Sequence, residues 1–112
     1  MEQPLYRYMA TVNAIIDGDT VNLTIEEGFH HSWKVNSRLA GINAPEKNSD
    51  DLLLREKAID SMNYLASLLP VGSQVYIISR KLDKYGRPLS SIYLKGLYIN
   101  DEMIKKGHAV AY

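Results

Sequence analysis

The sequence predicts a small α+β domain, mainly β: a five-stranded barrel with a long helix between its third and fourth strands and a short helix near the C-terminus. Three observations carry this expectation. Thr20-Val21-Asn22-Leu23-Thr24-Ile25 alternates strictly, which sets Val21, Leu23 and Ile25 on one face of a strand. From about Leu52 to Leu69 the apolar residues Leu54, Ala58, Ile59, Met62, Leu65, Ala66 and Leu69 recur at three and four, the stripe of an amphipathic helix. The whole pattern occupies 112 residues, room for one core, so a single domain over 1–112 is expected.

Each element follows from local chemistry. Tyr6 to Ile15 and Thr20 to Glu26 are rich in β-formers, and the polar stretch E-E-G-F-H-H-S, with Gly28, turns the chain into a third strand over Trp33 to Ile42. N-A-P-E then breaks that strand, because proline lacks an amide donor. Pro70 and Gly72 end the long helix. Gln74 to Ser79 and Leu89 to Leu94 flank R-K-L-D-K-Y-G-R-P as a hairpin. A short helix runs from Asn100, as its cap, to Lys106, with Gly107 as its stop. The order βββ, α, ββ, α in so short a chain points to an OB-fold, a barrel class that favours nucleic acids and sugars without fixing a function.

Composition narrows the chemistry. Residues are 46% hydrophobic and 23% charged, as in soluble globular chains. No apolar run approaches the roughly 20 residues that span a bilayer, and the N-terminus lacks a basic-then-apolar leader, so a cytoplasmic location is expected unless a leader was removed. Zero cysteines exclude disulfides, thiolate metal sites and cysteine nucleophiles. Thirteen basic and thirteen acidic residues cancel, so a polyanion must be met by a local patch.

Three segments offer such chemistry. Asp17-Gly18-Asp19 reads first as a tight turn, since Asp-Gly supplies the positive φ angles that hairpins favour. As an EF-hand calcium loop it fails: position six from Asp17 is Asn22 and position twelve is Gly28. A cation there would need oxygens from elsewhere, and R-L-A-G-I-N-A-P-E supplies them: Asp19, Asn43 and the carbonyl of Ala44 suit a hard ion such as Ca²⁺, with Glu46 nearby in sequence. In R-K-L-D-K-Y-G-R, the residues Arg80, Lys81, Lys84 and Arg87 form either an exposed hairpin loop or a phosphate clamp, in which Arg87 forks onto a phosphodiester and Tyr85 bonds or stacks. His30-His31 reads as a solvated turn, and Lys105-Lys106 as cations at a helix C-terminus.

In chain order, I-D-G-D-T, R-L-A-G-I-N-A-P-E, D-K-Y-G-R and I-N-D-E-M-I-K-K-G-H-A-V-A-Y closely resemble the staphylococcal nuclease (thermonuclease) family, over about Tyr8 to Tyr112. The resemblance implies an OB-fold and Ca²⁺-dependent hydrolysis of DNA and RNA to products ending in 3′-phosphate. It also implies roles: Asp19 and the Ala44 carbonyl as metal ligands, Asp17 as an acid beside the metal, Arg38 and Arg87 on the reacting phosphate, Glu46 as general base, and Lys84, Tyr85 and Tyr112 lining the nucleotide site. DNA or RNA is the implied partner, with a monomer expected.

Two departures qualify it. Asn43 stands where the best-known members carry a second aspartate, which keeps an oxygen but removes a charge, so other divalent ions become candidates. The chain also stops at Tyr112, where the secreted prototype continues into another helix, which suggests a compact member or a partner over that face. The competing expectation is a weak or inactive OB module that binds nucleic acid or protein. A sugar- or peptide-binding barrel is more remote, having no visible site.

Overall fold

Alternating apolar residues build the barrel wall, and a computed structural model describes residues 6–112 of it. Strands β1 (Arg7–Asp17), β2 (Thr20–Gly28) and β3 (His31–Leu39) form a meander, followed by the short β4 (Ile42–Asn43) and helix α1 (Leu52–Leu68). Then come β5 (Gln74–Leu82), β6 (Pro88–Leu94), β7 (Leu97–Tyr98), helix α2 (Ile99–Lys105) and β8 (Val110–Ala111). Val21, Leu23 and Ile25 point inward, none more than 4% exposed, against Leu39, Ile77, Ile92 and Met103.

The sheet order β3-β2-β1-β5-β6 is antiparallel throughout, and β6 returns to β3 in parallel, with Arg38 opposite Leu89 and Leu39 opposite Ser90. That pairing closes a five-stranded mixed barrel. Side chains reinforce the seam. Ser37 Oγ and Ser90 Oγ are 2.6 Å apart, and Ser37 Oγ donates to the Pro88 carbonyl at 3.1 Å.

The structure corrects four local expectations. The run from Trp33 to Ile42 is not one strand: β3 begins at His31, ends at Leu39, and Gly41, at φ +77°, turns the chain into β4, which pairs with β8 instead. His30 does lie in the exposed turn, but His31 already opens β3. The buried face of α1 is Ala58, Ser61 and Leu65, continued by Leu69, whereas Leu54, Ile59 and Ala66 are exposed. The spacing of three and four holds, but the stripe is rotated onto a serine.

Asn100 does not cap α2. The N-cap is Tyr98, and Asn100 is buried inside the helix, where its Oδ1 accepts from Ile92 N–H at 3.0 Å and its Nδ2 donates to the carbonyls of Ala40 and Ser90 at 2.8 and 2.9 Å. A buried amide so satisfied ties α2 to β6 and to the residue after β3. Gly107, at φ +77°, ends α2 as expected. Lys105 at the helix end pairs with Asp101 at 3.2 Å. Among the described residues no helix is long and apolar enough to cross a membrane.

Candidate active site at the barrel rim

The turn between β1 and β2 supplies the first part of the site. Asp17 pairs with Thr20 across it, after register shifts that bulge β1 at Asn13 and Ile16 and re-aim the strand end. Gly18 is not among the residues with positive φ, so the expected reason for it is wrong. Its requirement is space: a Cβ there would lie 2.7 Å from Ser61 Cβ and 3.0 Å from Ala44 Cβ. The glycine lets α1 and the start of the β4 loop close onto the turn.

Asp19 is 7% exposed and locked from two directions. Its Oδ1 accepts from Thr20 Oγ1 at 3.0 Å, its Oδ2 accepts from Ala44 N–H at 2.9 Å, and its carbonyl accepts from Leu39 N–H at 2.8 Å. Arg38 Nη2 lies 3.4 Å from Oδ2, and the same nitrogen donates to Asn43 Oδ1 at 2.8 Å and to the Ile42 carbonyl at 3.3 Å. Tyr112 is held by its N–H on the Gly41 carbonyl at 2.9 Å, which sets its ring 5.8 Å from the Arg38 guanidinium. The structure thus brings together Asp19, Arg38, Asn43, Ala44 and Tyr112.

Asp17 lies beside this group, half-buried, with Lys47 Nζ 3.8 Å from its Oδ1. That oxygen is buried, and it is the one buried side-chain nitrogen or oxygen among the described residues without a hydrogen-bond partner. Burial raises the Asp17 carboxyl above its ordinary value of 3.8; Lys47 opposes the rise, Asp19 and Glu46 add to it, and Arg38 opposes it. Glu46 is exposed, in the loop after β4, and its charge is felt at Asp17.

The β5–β6 loop brings the second arginine. Leu89 opposes Arg38 in the barrel seam, and Arg87 precedes it by two residues, at the end of the loop that leads into the strand bordering β3. Asp83, which the sequence reading passed over, organises this loop. Its Oδ1 accepts from the N–H groups of Tyr85 and Arg87 at 2.8 and 2.9 Å, and its Oδ2 accepts from Arg87 Nε at 2.8 Å. Desolvation pushes the Asp83 carboxyl up, but these bonds from Arg87 and Tyr85, together with the Arg87 charge, outweigh it and hold the group below its ordinary 3.8. Aspartate opening a turn that reaches Gly86 three residues later is the signal that marks it. Tyr85 is exposed, with Lys84 and Arg87 at 5.2 and 5.5 Å from its ring.

Among the described residues no three histidine, cysteine, aspartate or glutamate side chains gather as a metal cage. A cation held here would therefore draw on Asp19, the amide oxygen of Asn43 and the Ala44 carbonyl, which the Ala44–Asp19 bond leaves unused. Such an all-oxygen set suits a hard ion, and the unpartnered Asp17 Oδ1 beside it suits an ion's bound water.

A closed mixed barrel with carboxylate, amide and guanidinium groups on one rim is of the OB kind. Residues 36–112 match the staphylococcal nuclease homologue family, and the chain belongs to it. It is 37% identical over 76 residues to a probable staphylococcal-like nuclease of rice, CAN3, covering 68% of this chain and 18% of that protein. An uncharacterized endonuclease of Haemophilus influenzae is 36% identical over 98 residues, 88% of this chain and 49% of its own length. An uncharacterized protein of Bacillus anthracis is 30% identical over 98 residues, 86% of this chain and 44% of its own. The chain spans less than half the length of each. Arg38, Asn43, Ala44, Glu46, Lys84, Tyr85, Arg87 and Tyr112 fall inside the matched segment, and Asp17 and Asp19 precede it.

Proposed function

We propose that the chain is a metal-dependent nuclease that hydrolyses phosphodiester bonds of DNA or RNA with low sequence specificity. The observation that carries this is the convergence on one rim of Asp19, Arg38 and Asn43, bonded or paired within 3.4 Å, beside the strand whose loop presents Arg87. Membership in the nuclease family supports the same reading.

Arg38 and Arg87 fork onto the non-bridging oxygens of the reacting phosphate, where negative charge grows as water attacks. Glu46 accepts the proton of that water. The bond from phosphorus to the 5′ oxygen breaks, the departing oxygen takes a proton from solvent water, and a 3′-phosphate and a 5′-hydroxyl are left. Asp19, Asn43 and the Ala44 carbonyl would hold Ca²⁺, or another divalent ion, and Asp17 would bond to its waters. The ion, when bound, supplies Lewis-acid stabilisation of the phosphate charge. Lys84, Tyr85 and Tyr112 seat the nucleotide. Replacing either arginine by alanine lowers the rate on the order of 10²–10³-fold, as for a lost transition-state donor.

The direct assay incubates single-stranded DNA and RNA with the protein in Ca²⁺ or in chelator. Cleavage only with the ion supports the enzyme. Binding without cleavage under every divalent ion favours the other reading, a nucleic-acid or protein-binding barrel, which the uncharged Asn43 suggests. Asn43→Asp adds a ligand charge and tightens Ca²⁺ binding in calorimetry; unchanged affinity removes Asn43 from the ion's coordination.

A further inference from the structure

We infer that the open end of the barrel is a second subsite for the nucleic-acid strand, in which a base stacks on exposed aromatic side chains while Arg80 and Lys81 hold adjoining phosphates. This deepens the nuclease proposal and rests on it. A cleft of about 280 Å³ opens there, lined by Tyr6, Tyr8, Trp33, Arg80, Lys81 and Leu82.

The local backbone builds this lining. Pairing between β5 and β6 jumps from Ser79–Ser90 to Lys81–Leu89, so Arg80 is the extra residue of a bulge. Neighbours in a regular strand face opposite sides, but a bulge re-aims them, and here both cations reach the same cleft. Both are exposed, and neither enters an ion pair among the described residues. One acid, Glu27, shares the lining. Charge therefore favours an anion, although the chain as a whole is neutral.

The aromatics are available. Tyr6 and Trp33 are 50% and 39% exposed, and neither stacks on another ring among the described residues. The ladder Tyr76–Tyr93–Tyr98 on the outer wall differs: its rings stack on one another at 4.8 Å, and Arg7 covers the end at 3.9 Å. Each of its rings already has a face taken. A base needs a free aromatic face, which is worth roughly 1–3 kcal/mol in single-strand binding. The cleft is also continuous with the proposed catalytic loop, since its wall residues Leu82 and Pro88 pair with each other and flank Asp83–Arg87. A strand leaving Arg87 along the loop base enters the cleft.

Trp33 is the one tryptophan of the chain, so it reports on its own surroundings. The full chain, held in chelator to prevent cleavage, is titrated with single-stranded DNA or RNA of about 12 nucleotides, a length within the usual span of an OB barrel. The strand changes Trp33 fluorescence, whereas a dinucleotide, too short to reach from the loop, does not. The double substitution Arg80→Ala/Lys81→Ala weakens the longer strand about tenfold and lowers the slope of log affinity against log salt by about 1.4, two contacts at roughly 0.7 each. Its melting temperature, close to the parent's because both side chains are exposed, separates this from misfolding.

A response to DNA alone or to RNA alone supports the subsite and identifies its sugar. Binding seen by anisotropy with Trp33 fluorescence unchanged, or undiminished in the double variant, overturns the subsite while leaving the nuclease intact if long strands are still cut. No binding and no cleavage with any ion overturns both.

Discussion

Asp17 carries a tension between stability and ligand binding. Its Oδ1 is buried without a hydrogen bond, and burial raises its pKa, so the folded chain binds a proton more readily than the unfolded one. Stability from this group therefore falls as pH rises from 3.8 through the raised folded value, and at neutral pH the carboxylate destabilises the fold. Asp17→Asn should melt a few degrees higher than the parent at pH 7 in chelator, with a flatter acid dependence, yet gain less from added Ca²⁺. Thermal melts across pH, with and without the ion, check all three. The sequence offers both acids of the turn as candidates, and the structure separates them: Asp19 is saturated with partners, Asp17 is not. That difference arises from Ala44 and Lys47, which lie 25 and 30 residues beyond their partners, and no local pattern reveals it.

At the scale of elements, the contact between the first turn and α1 decides whether the site assembles. Gly18 faces Ser61 and Ala44 too closely for a side chain, and Ser61 Oγ donates to the His108 carbonyl at 2.7 Å, fixing the segment that leads to β8. Gly18→Ala should therefore destabilise the fold by about 1–3 kcal/mol, as overpacking does, read as a lower midpoint in urea. Gly18→Ala with Ser61→Gly should recover part of that loss, whereas a backbone-strain role would leave the pair no better than the single variant. Hydrophobic spacing locates α1 but misplaces its buried face, because Ser61 is chosen by space and hydrogen bonding rather than by apolarity. Likewise Asn100 has the chemistry of a cap and serves as a buried tie, a use that only the return of β6 to β3 creates. The split of β3 from β4 at Gly41 has the same origin, since β4 is defined by pairing with a strand 68 residues further on.

Across the whole molecule, barrel closure is what turns separate motifs into a site. The parallel seam of β3 and β6 puts Arg38 beside the strand that Arg87 leads into, and the pairing of β4 with β8 sets Asn43 and Tyr112 around Arg38. The alternation of Val21, Leu23 and Ile25 and the chemistry of each motif are legible in the sequence. The seam is not, because a parallel pairing across about 50 residues leaves no local trace. Neutral net charge is equally consistent with this arrangement, since Arg80, Lys81, Lys84 and Arg87 are gathered by the β5–β6 hairpin and Arg38 joins them from β3 rather than from a basic field over the surface. The most direct test of the proposed chemistry compares cleavage of single-stranded DNA by the parent and by Glu46→Gln in Ca²⁺, with folding checked by circular dichroism. Because Glu46 is exposed and its side chain makes no hydrogen bond among the described residues, the substitution should leave the fold intact and reduce the rate at least 10²-fold. A folded Glu46→Gln protein that cuts DNA at the parent's rate would contradict the assignment of this rim as the catalytic centre.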